Sequence, residues 1–348
     1  MKKGLFYALM ALVLVSCGKS NERLLTSATG SIYECLVVGP ASVKEPVGSI
    51  MGADMYGLPQ MEPTFTVTQV PESQFDDYLK PTRNILIADI NEQKYTQLKL
   101  LKSRDVWSKP QAVIRIQAPS EEAFLSFWKE QGENIREWFV REEIARQLSF
   151  YRAGTNKEAR AILKKQGYDL LIPEDYMLIK NEQLIMNNEY LSNTNQDVDV
   201  LWCCNNKGPM RRDILVYSVP YTSQDQFSND SIIALRNAIV GQLVSAQVAG
   251  SHMGTEYKHF PPVTRYVASP RDTVGGFYAV ETRGLWKMLD GEAMGGPFVS
   301  LTRLDQVNGR VVTAEAFLFA PGQKKRNAMR QAEAILYSLK MPNERVKE

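Results

Sequence analysis

Apolar and polar positions along the chain follow two periods, that of a strand and that of a helix. In four places an apolar stretch with a strand-like pattern ends at a proline, and a helical pattern follows. Proline cannot donate a hydrogen bond to a neighbouring strand, so it is expected to end each of these strands. The four stretches are residues 32–38 before Pro40, 112–117 before Pro119, 214–219 before Pro220 and 314–319 before Pro321. The last three prolines are spaced by 101 residues each, which suggests two related strand–helix halves.

The helical period is clearest after Pro119. Ser120 is suited to cap the N-terminus of this helix, which is predicted to run to about residue 151 with Gly132 as its weakest point. Its core face is predicted to carry Phe124, Trp128, Ile135, Trp138, Phe139, Ala145 and Leu148. Further helices are predicted at residues 157–166, 230–248 and 323–339.

Strand-like runs occupy much of the remaining chain. They lie at residues 65–70, 84–90, 170–172, 177–179, 277–282, 298–304 and 311–319. The last two are joined through Asn308-Gly309, a dipeptide that strongly favours a tight β-hairpin. The pattern therefore predicts an α+β fold of mixed, largely antiparallel sheets packed by long helices, and disfavours a doubly wound parallel sheet.

The first seventeen residues form three successive zones. Lys2 and Lys3 precede an apolar stretch at residues 5–15, which is shorter than the roughly 20 residues that a membrane-spanning helix needs. Leu14-Val15-Ser16-Cys17 then resembles the bacterial lipobox. This resemblance implies that Cys17 carries a lipid and becomes the first mature residue. The alternative is an ordinary secretory cleavage site beside an incidental Cys17.

This interpretation divides the chain into four parts. Residues 1–16 are predicted to be a signal peptide, and residues 17–31, which are mostly small and polar, a lipidated tether. An N-terminal α/β subdomain is expected at residues 32–153 and a C-terminal α+β subdomain at residues 154–348.

Composition and charge narrow the classes of function. With 44% hydrophobic and 23% charged residues the chain is expected to fold, which excludes collagen-like and disordered proteins. The predicted leader carries two of the 41 basic residues and none of the 39 acidic ones, so the mature chain is formally neutral. Because nucleic-acid binders normally carry a basic surplus, no nucleic-acid partner is predicted. The one dense basic run, Lys324-Lys325-Arg326, is expected to be the solvated start of a helix.

Residues that commonly carry catalysis are scarce. The two histidines, His252 and His259, lack the spacing of a zinc site, and the sequence contains no nucleophile elbow or phosphate-binding loop. No catalytic residue, cofactor or metal is therefore predicted. The thiols of Cys35, Cys203 and Cys204 are predicted to be buried and free, with a bridge from Cys35 to one of the other two left open.

The segment 281–300 combines glycines with large apolar side chains, an arrangement suited to a ligand pocket. The candidate ligand-binding residues are Trp286, Met294, Gly295, Gly296 and Phe298. In the alternative, the glycines only turn the chain and Trp286 fills the edge of the core. A second hypothesis makes the protein a glycan-active hydrolase that uses Glu281, Asp290 and Glu292 near Trp286.

Motifs in the C-terminal part resemble a known family. They are Arg-Gly-Leu-Trp at 283–286, Met-Gly-Gly-Pro-Phe-Val-Ser at 294–300, and Phe-Ala-Pro-Gly at 319–322 followed by Lys325-Arg326. These motifs resemble an uncharacterised Bacteroidetes lipoprotein family, the domain of unknown function 4837, over nearly the whole mature chain. The resemblance implies a cell-envelope lipoprotein and assigns no catalytic residue.

The leading hypothesis is therefore a non-catalytic lipoprotein of the cell envelope. It is expected to be anchored to the outer membrane through Cys17, and to bind or scaffold an envelope protein or a glycan. Surface lipoproteins of that phylum often carry acids just after the lipidated cysteine, whereas here Lys19 precedes the single acid Glu22. The periplasmic face of the membrane is thus favoured over the cell surface.

Overall fold

A computed structural model describes residues 25–186, 196–245, 248–268, 278–291, 293–342 and 344 of the chain. Cys17, the predicted signal peptide and most of the predicted tether lie outside these residues. Within them, five α-helices accompany a five-stranded and an eight-stranded sheet, so the predicted α+β fold is confirmed.

The first sheet is mostly parallel, and helices cover one of its two faces. The strands of this part are β1 (Thr26–Ser27), β2 (Glu34–Val38), β3 (Thr66–Val70), β4 (Asn84–Ile90), β5 (Lys99–Arg104), β6 (Ser108–Lys109) and β7 (Ala112–Ala118). The helices are α1 (Lys44–Met51), α2 (Glu121–Ala153) and α3 (Lys157–Lys165). The order is β3-β2-β4-β7-β5, parallel except for β5. One face packs against α1 and α2, and the other packs against Phe75, Leu79 and Trp107.

The second sheet is antiparallel throughout, in agreement with the prediction for the C-terminal part. Its strands are β8 (Met177–Met186), β9 (Gln196–Asn205), β10 (Arg211–Pro220), β11 (His252–Thr255), β12 (Val263–Ala268), β13 (Tyr278–Leu289), β14 (Gly295–Asp305) and β15 (Arg310–Phe319). Their order is β11-β13-β14-β15-β10-β9-β8, with β12 also paired to β13. Two helices accompany them, α4 (Asn229–Leu243) and α5 (Arg326–Leu336).

Each proline-terminated strand forms as predicted and is followed by a helix. β2 ends two residues before Pro40, β7 directly before Pro119, β10 at Pro220 and β15 two residues before Pro321. The pairing, however, does not support two related halves. β2 and β7 belong to the parallel sheet, whereas β10 and β15 are antiparallel neighbours.

Most predicted elements form, with differences at their ends. The hydroxyl of Ser120 accepts the N–H of Ala123, as the predicted cap requires. The helix α2 is unbroken at Gly132. The glycine leaves room for α1, since a Cβ at this position would lie 2.7 Å from the Ile50 side chain. Ala145 is exposed, which corrects its placement on the core face. Residues 170–172 form no strand, and α4 and α5 are shorter than predicted.

One hydrophobic core contains residues from both sheets. It joins β2, β4 and β7 through α2 to β9, β10, β14, β15 and α5. The predicted subdomain boundary falls at the end of α2 and stays a prediction. Cys35, Cys203 and Cys204 are buried free thiols, as predicted.

Candidate functional site

A cleft lies where the two parts of the molecule meet. Two cavities, of about 210 and 330 Å³, open between α2 and the segment 54–64 on one side and β12, β13 and α5 on the other. Because both are lined by Arg136, Glu137, Arg265 and Arg330, they adjoin one another. We call them together the central cleft.

Five charged side chains line the inner part of the central cleft and hold one another in place. The carboxylate of Glu281 accepts hydrogen bonds from Nε of Arg265 at 2.8 Å and Nε of Arg283 at 2.7 Å. The carboxylate of Glu333 accepts from Arg283 at 2.6 Å and from Arg330 at 2.8 Å. Arg283 thus connects the two acids. We call these five residues the arginine cluster.

Local geometry explains why these residues share a site. Glu281 and Arg283 are two positions apart on β13 and so face the same way, and Arg265 is the direct cross-strand partner of Glu281 on β12. Arg330 and Glu333 are three positions apart on α5, so they are neighbours on one helix face. Packing of α5 against the sheet then brings the two pairs together.

Charge within the cluster decides the protonation of both acids. Burial alone would raise the pKa of each carboxyl group, because desolvation disfavours the charged form. The charges and hydrogen bonds of Arg283 and its neighbours outweigh burial, and they hold the pKa of Glu281 and that of Glu333 below the usual range. Both acids are therefore ionised at neutral pH and are poorly suited to donate a proton.

The cluster carries more positive than negative charge. Three guanidinium groups share two carboxylates, which leaves an excess of one positive charge among these five residues. The side chain of Arg330 is only 9% exposed, and its buried Nε has no hydrogen-bond partner. Unused donors of this kind are rare in buried positions and favour an anionic ligand.

The outer walls of the cleft combine charge with aromatic rings. Arg136 donates to the carbonyl of Ile50 at 2.9 Å. Tyr56 stacks on Phe260 with ring centroids 5.1 Å apart, and its hydroxyl donates to the carbonyl of Pro261 at 2.8 Å. The two contacts of Tyr56 fasten the segment 54–64 to the loop before β12, and they define one rim of the cleft.

The start of α5 is attached to the same segment. The carboxylate of Glu62 accepts the N–H of Lys325 at 2.7 Å and that of Arg326 at 3.0 Å, in the position that the helix dipole favours for an acid. Lys325 is only 4% exposed. The prediction that residues 324–326 form a solvated surface is therefore wrong for Lys325, because Glu62 covers this end of the helix.

The candidate ligand-binding residues lie outside the central cleft. Trp286, Gly295, Gly296 and Phe298 belong to the paired strands β13 and β14, so most of the segment 281–300 is a strand pair. Met294 is half-buried against the second core, which contains Trp286 and Phe298. Nε1 of Trp286 donates to the carbonyl of Leu318 at 2.9 Å. Gly295-Gly296 lies in β14 and does not turn the chain, which corrects that part of the alternative interpretation, whereas Trp286 is buried in a core as the same alternative expects.

Of the three acids in the hydrolase hypothesis, the described residues include Glu281 and Asp290, and the structure does not bring these two together. Glu281 belongs to the arginine cluster, whereas Asp290 is exposed beyond the end of β13, nine residues away or about 30 Å along an extended strand. Trp286 is an odd number of positions from Glu281 and so faces the opposite side of the sheet. Glu292 lies outside the described residues.

The described residues contain neither a metal-binding cluster nor a membrane-spanning helix. Among them, no group of three or more His, Cys, Asp or Glu side chains is placed to hold a metal ion. His252 is the first residue of β11, and His259 is exposed in the loop that follows this strand. None of the described helices is both long and apolar enough to span a membrane.

Most of the arginine cluster escaped the sequence analysis. Glu281 was considered, but as one of three acids near Trp286. The spacings Glu281-x-Arg283 and Arg330-x-x-Glu333 were available signals, since each places opposite charges on one face of a strand or a helix. Neither spacing reveals that the two pairs meet.

Comparison with known proteins finds related families but no activity. A family described as a domain of unknown function (DUF4837) matches residues 155–338, and a second domain of unknown function (DUF8532) matches residues 28–152. The first match thus covers the C-terminal part and not nearly the whole mature chain. No curated protein matches the chain. The solution structure of cyanobacterial PsbP (CyanoP) from Synechocystis sp. PCC 6803 is 12% identical, with a TM-score of 0.29, covering 51% of this chain and 88% of that one.

Proposed function

We propose that this chain, which belongs to the DUF4837 family of unknown function, is a lipid-anchored binding protein of the cell envelope. The lipid is carried by Cys17, and the central cleft binds an anionic group of an envelope glycan or protein. The role is binding and not catalysis.

The excess positive charge of the arginine cluster supports this proposal most directly. Each of the three guanidinium groups is paired with Glu281 or Glu333, and an anion entering the cleft would balance the one positive charge that the two carboxylates leave over. Guanidinium groups match carboxylates and phosphates because their N–H donors form a planar fork. The side chain of Arg265 is 50% exposed and uses Nε on Glu281, so the cleft gives a ligand access to its outer side.

The walls of the cleft indicate what the anionic group is attached to. Tyr56 and Tyr266 are 45% and 71% exposed at its rim, and Met55, Val263 and Val267 add apolar surface. Exposed aromatic rings beside charged groups suit the carbon skeleton of an acidic sugar or the side chains of a peptide. A carboxylate or phosphate on such a skeleton is the ligand chemistry that this cleft favours.

Binding is favoured over hydrolysis for a chemical reason. A glycosidase of the common type needs one carboxyl group that is protonated at working pH and a second that faces it. In the arginine cluster the pKa of Glu281 and that of Glu333 are both lowered by arginines. Neither is therefore available as a general acid, and the glycan-active hydrolase is not proposed.

Replacing Arg265 by Gln is expected to weaken anion binding about 10- to 100-fold, because a hydrogen bond to a charged group contributes roughly 1.5–3 kcal/mol. Isothermal titration calorimetry with glucuronate and with inorganic phosphate measures the effect, and neutral glucose should not bind. Arg211→Gln is the matched control. Arg211 is 45% exposed and also pairs with a buried acid, Asp213, but it does not line the cleft. Equal binding by both variants, or no anion binding by the wild type, would contradict the proposed ligand site.

Replacing Cys17 by Ala is expected to release the protein from the membrane fraction, because the proposed lipid needs the thiol of Cys17 for its attachment. Cell fractionation with immunoblotting measures the distribution, and metabolic labelling with a fatty acid reports the lipid itself. Cys35→Ala serves as the control, since this thiol is buried in the fold. Unchanged membrane association of the Cys17→Ala protein would remove the anchor from the proposal.

The proposed location on the periplasmic face has its own test. Protease added to intact cells should leave the wild-type protein undigested until the outer membrane is opened. Digestion from outside would place the folded body on the cell surface and favour capture of external glycans.

A further inference from the structure

The described chain enters the fold at one defined place. β1 pairs in parallel with β6, with Thr26 opposite Ser108 and Ser27 opposite Lys109. The next residues continue along this edge, where the N–H of Thr29 donates to the carbonyl of Pro81 at 2.9 Å. Since the pairing is parallel, β1 and β6 run in the same direction, and the described chain begins on the side of β6 on which Val106 and Trp107 precede Ser108.

Two neighbouring loops expose apolar side chains beside this entry point. Tyr78 is 90% exposed and Val106 is 39% exposed. The loops that carry them are held together, because the amide of Gln111 donates to the carbonyl of Lys80 at 2.6 Å and the rings of Phe75 and Trp107 lie 5.4 Å apart. The exposed side chains are therefore presented by a fixed scaffold.

Three carboxylates, those of Asp76, Asp77 and Asp105, and two ammonium groups, those of Lys80 and Lys109, lie beside these side chains, which leaves a net charge of −1. Lys80 pairs with Asp77 at 2.7 Å, and Lys109 lies 3.8 Å from Asp105. The ammonium group of Lys109 is accessible, since its side chain is 72% exposed, whereas that of Lys80 is 34% exposed. A tyrosine and an aliphatic side chain flanked by lysines are typical of protein surfaces that contact the interfacial region of a bilayer.

We propose that the surface formed by Tyr78, Val106, Lys80 and Lys109, the tether-side surface, rests against the lipid headgroups of the membrane. This proposal depends on the proposed lipid at Cys17. Eight residues lie between Cys17 and Thr26, so nine residue steps hold the entry point within roughly 30 Å of the bilayer even when the connection is fully extended. Tyrosine is suited to this contact because its ring is apolar and its hydroxyl remains hydrated. The contact would orient the folded body on the membrane.

A fluorophore on Asp77→Cys of the full-length lipidated protein tests the contact. Asp77 is 92% exposed and adjoins Tyr78, and the buried thiols of Cys35, Cys203 and Cys204 are inert toward a maleimide dye. In phosphatidylcholine–phosphatidylethanolamine vesicles we expect the emission of an environment-sensitive dye to shift to shorter wavelength, with reduced quenching by aqueous iodide. Val307→Cys, at a 60% exposed position on the hairpin between β14 and β15, is the matched control and should show neither change.

The outcomes separate this proposal from the lipid anchor. Adding Tyr78→Ser to the Asp77→Cys protein should cancel both changes, which shows that the native side chain and not the dye makes the contact. Suppose that each protein carries one dye and that its emission and quenching are the same at positions 77 and 307. The proposed membrane contact of the tether-side surface would then be wrong, and the lipid anchor would stand. Two dyes per chain would show that Cys17 carries no lipid, and both proposals would then fail.

Discussion

Replacing Glu333 by Gln is expected to lower the free energy of unfolding by about 3–5 kcal/mol, the usual effect of removing one partner from a buried ion pair. Glu333 is only 1% exposed, and its two oxygens accept from Arg283 and Arg330. A neutral amide would leave three guanidinium groups with one carboxylate, that of Glu281. Urea denaturation followed by circular dichroism measures the loss. Glu137→Gln, on α2, is the control, since Glu137 is 41% exposed and 4.0 Å from Arg136.

The same variant should change how stability depends on pH. The pKa of Glu333 and that of Glu281 are lowered in the folded state, so both carboxylates stabilise the fold above the ordinary carboxyl pKa. That contribution is lost as the pH falls from about 4.5 toward the lowered values. The wild-type protein should thus take up more protons on acid unfolding than Glu333→Gln does. If the free energy of unfolding fell equally for the two proteins between about pH 5 and about pH 3, Glu333 would not be an ionised group with a lowered pKa in the folded state.

Replacing Gly296 by Ala is expected to cost about 2–5 kcal/mol, from overpacking and a disturbed buried hydrogen bond. A Cβ at this position would lie 2.0 Å from the backbone oxygen of Leu318 and 3.0 Å from Nε1 of Trp286. Because that oxygen accepts the Trp286 hydrogen bond, the strands must move apart or the indole must leave its place. Denaturation and the tryptophan emission spectrum both report the change.

Gly48→Ala is the matched control for this prediction. Gly48 lies in α1, and a Cβ there would meet nothing within 4 Å. Alanine is a better helix former than glycine, so this variant should gain roughly 0.5–1 kcal/mol. If Gly296→Ala were as stable as wild type, Gly296 would not be required for the close approach to Leu318.

Much of the local structure could be predicted from the sequence. The cap at Ser120, the prolines after β2, β7, β10 and β15, and the Asn308-Gly309 hairpin all act through neighbours a few residues away. Such signals are readable because the interacting groups are adjacent in the chain. The buried state of the three cysteines was equally predictable from their apolar surroundings.

The candidate site depended on contacts that local patterns do not specify. Alternation along β13 predicts that Glu281 and Arg283 share a face and that Trp286 lies on the other, but it cannot show which face meets α5. Glu333 follows Arg283 by 50 residues, and Glu62 precedes Lys325 by 263.

The sequence by itself thus determined the α+β class and most elements of the chain, because the side chains that set them are close neighbours. Tertiary structure alone decided that a glycine-rich segment forms paired strands around a buried Trp286, and that three arginines share two acids in the central cleft. The physical reason is that burial and ion pairing depend on which distant faces pack together, and neither period nor spacing encodes that choice.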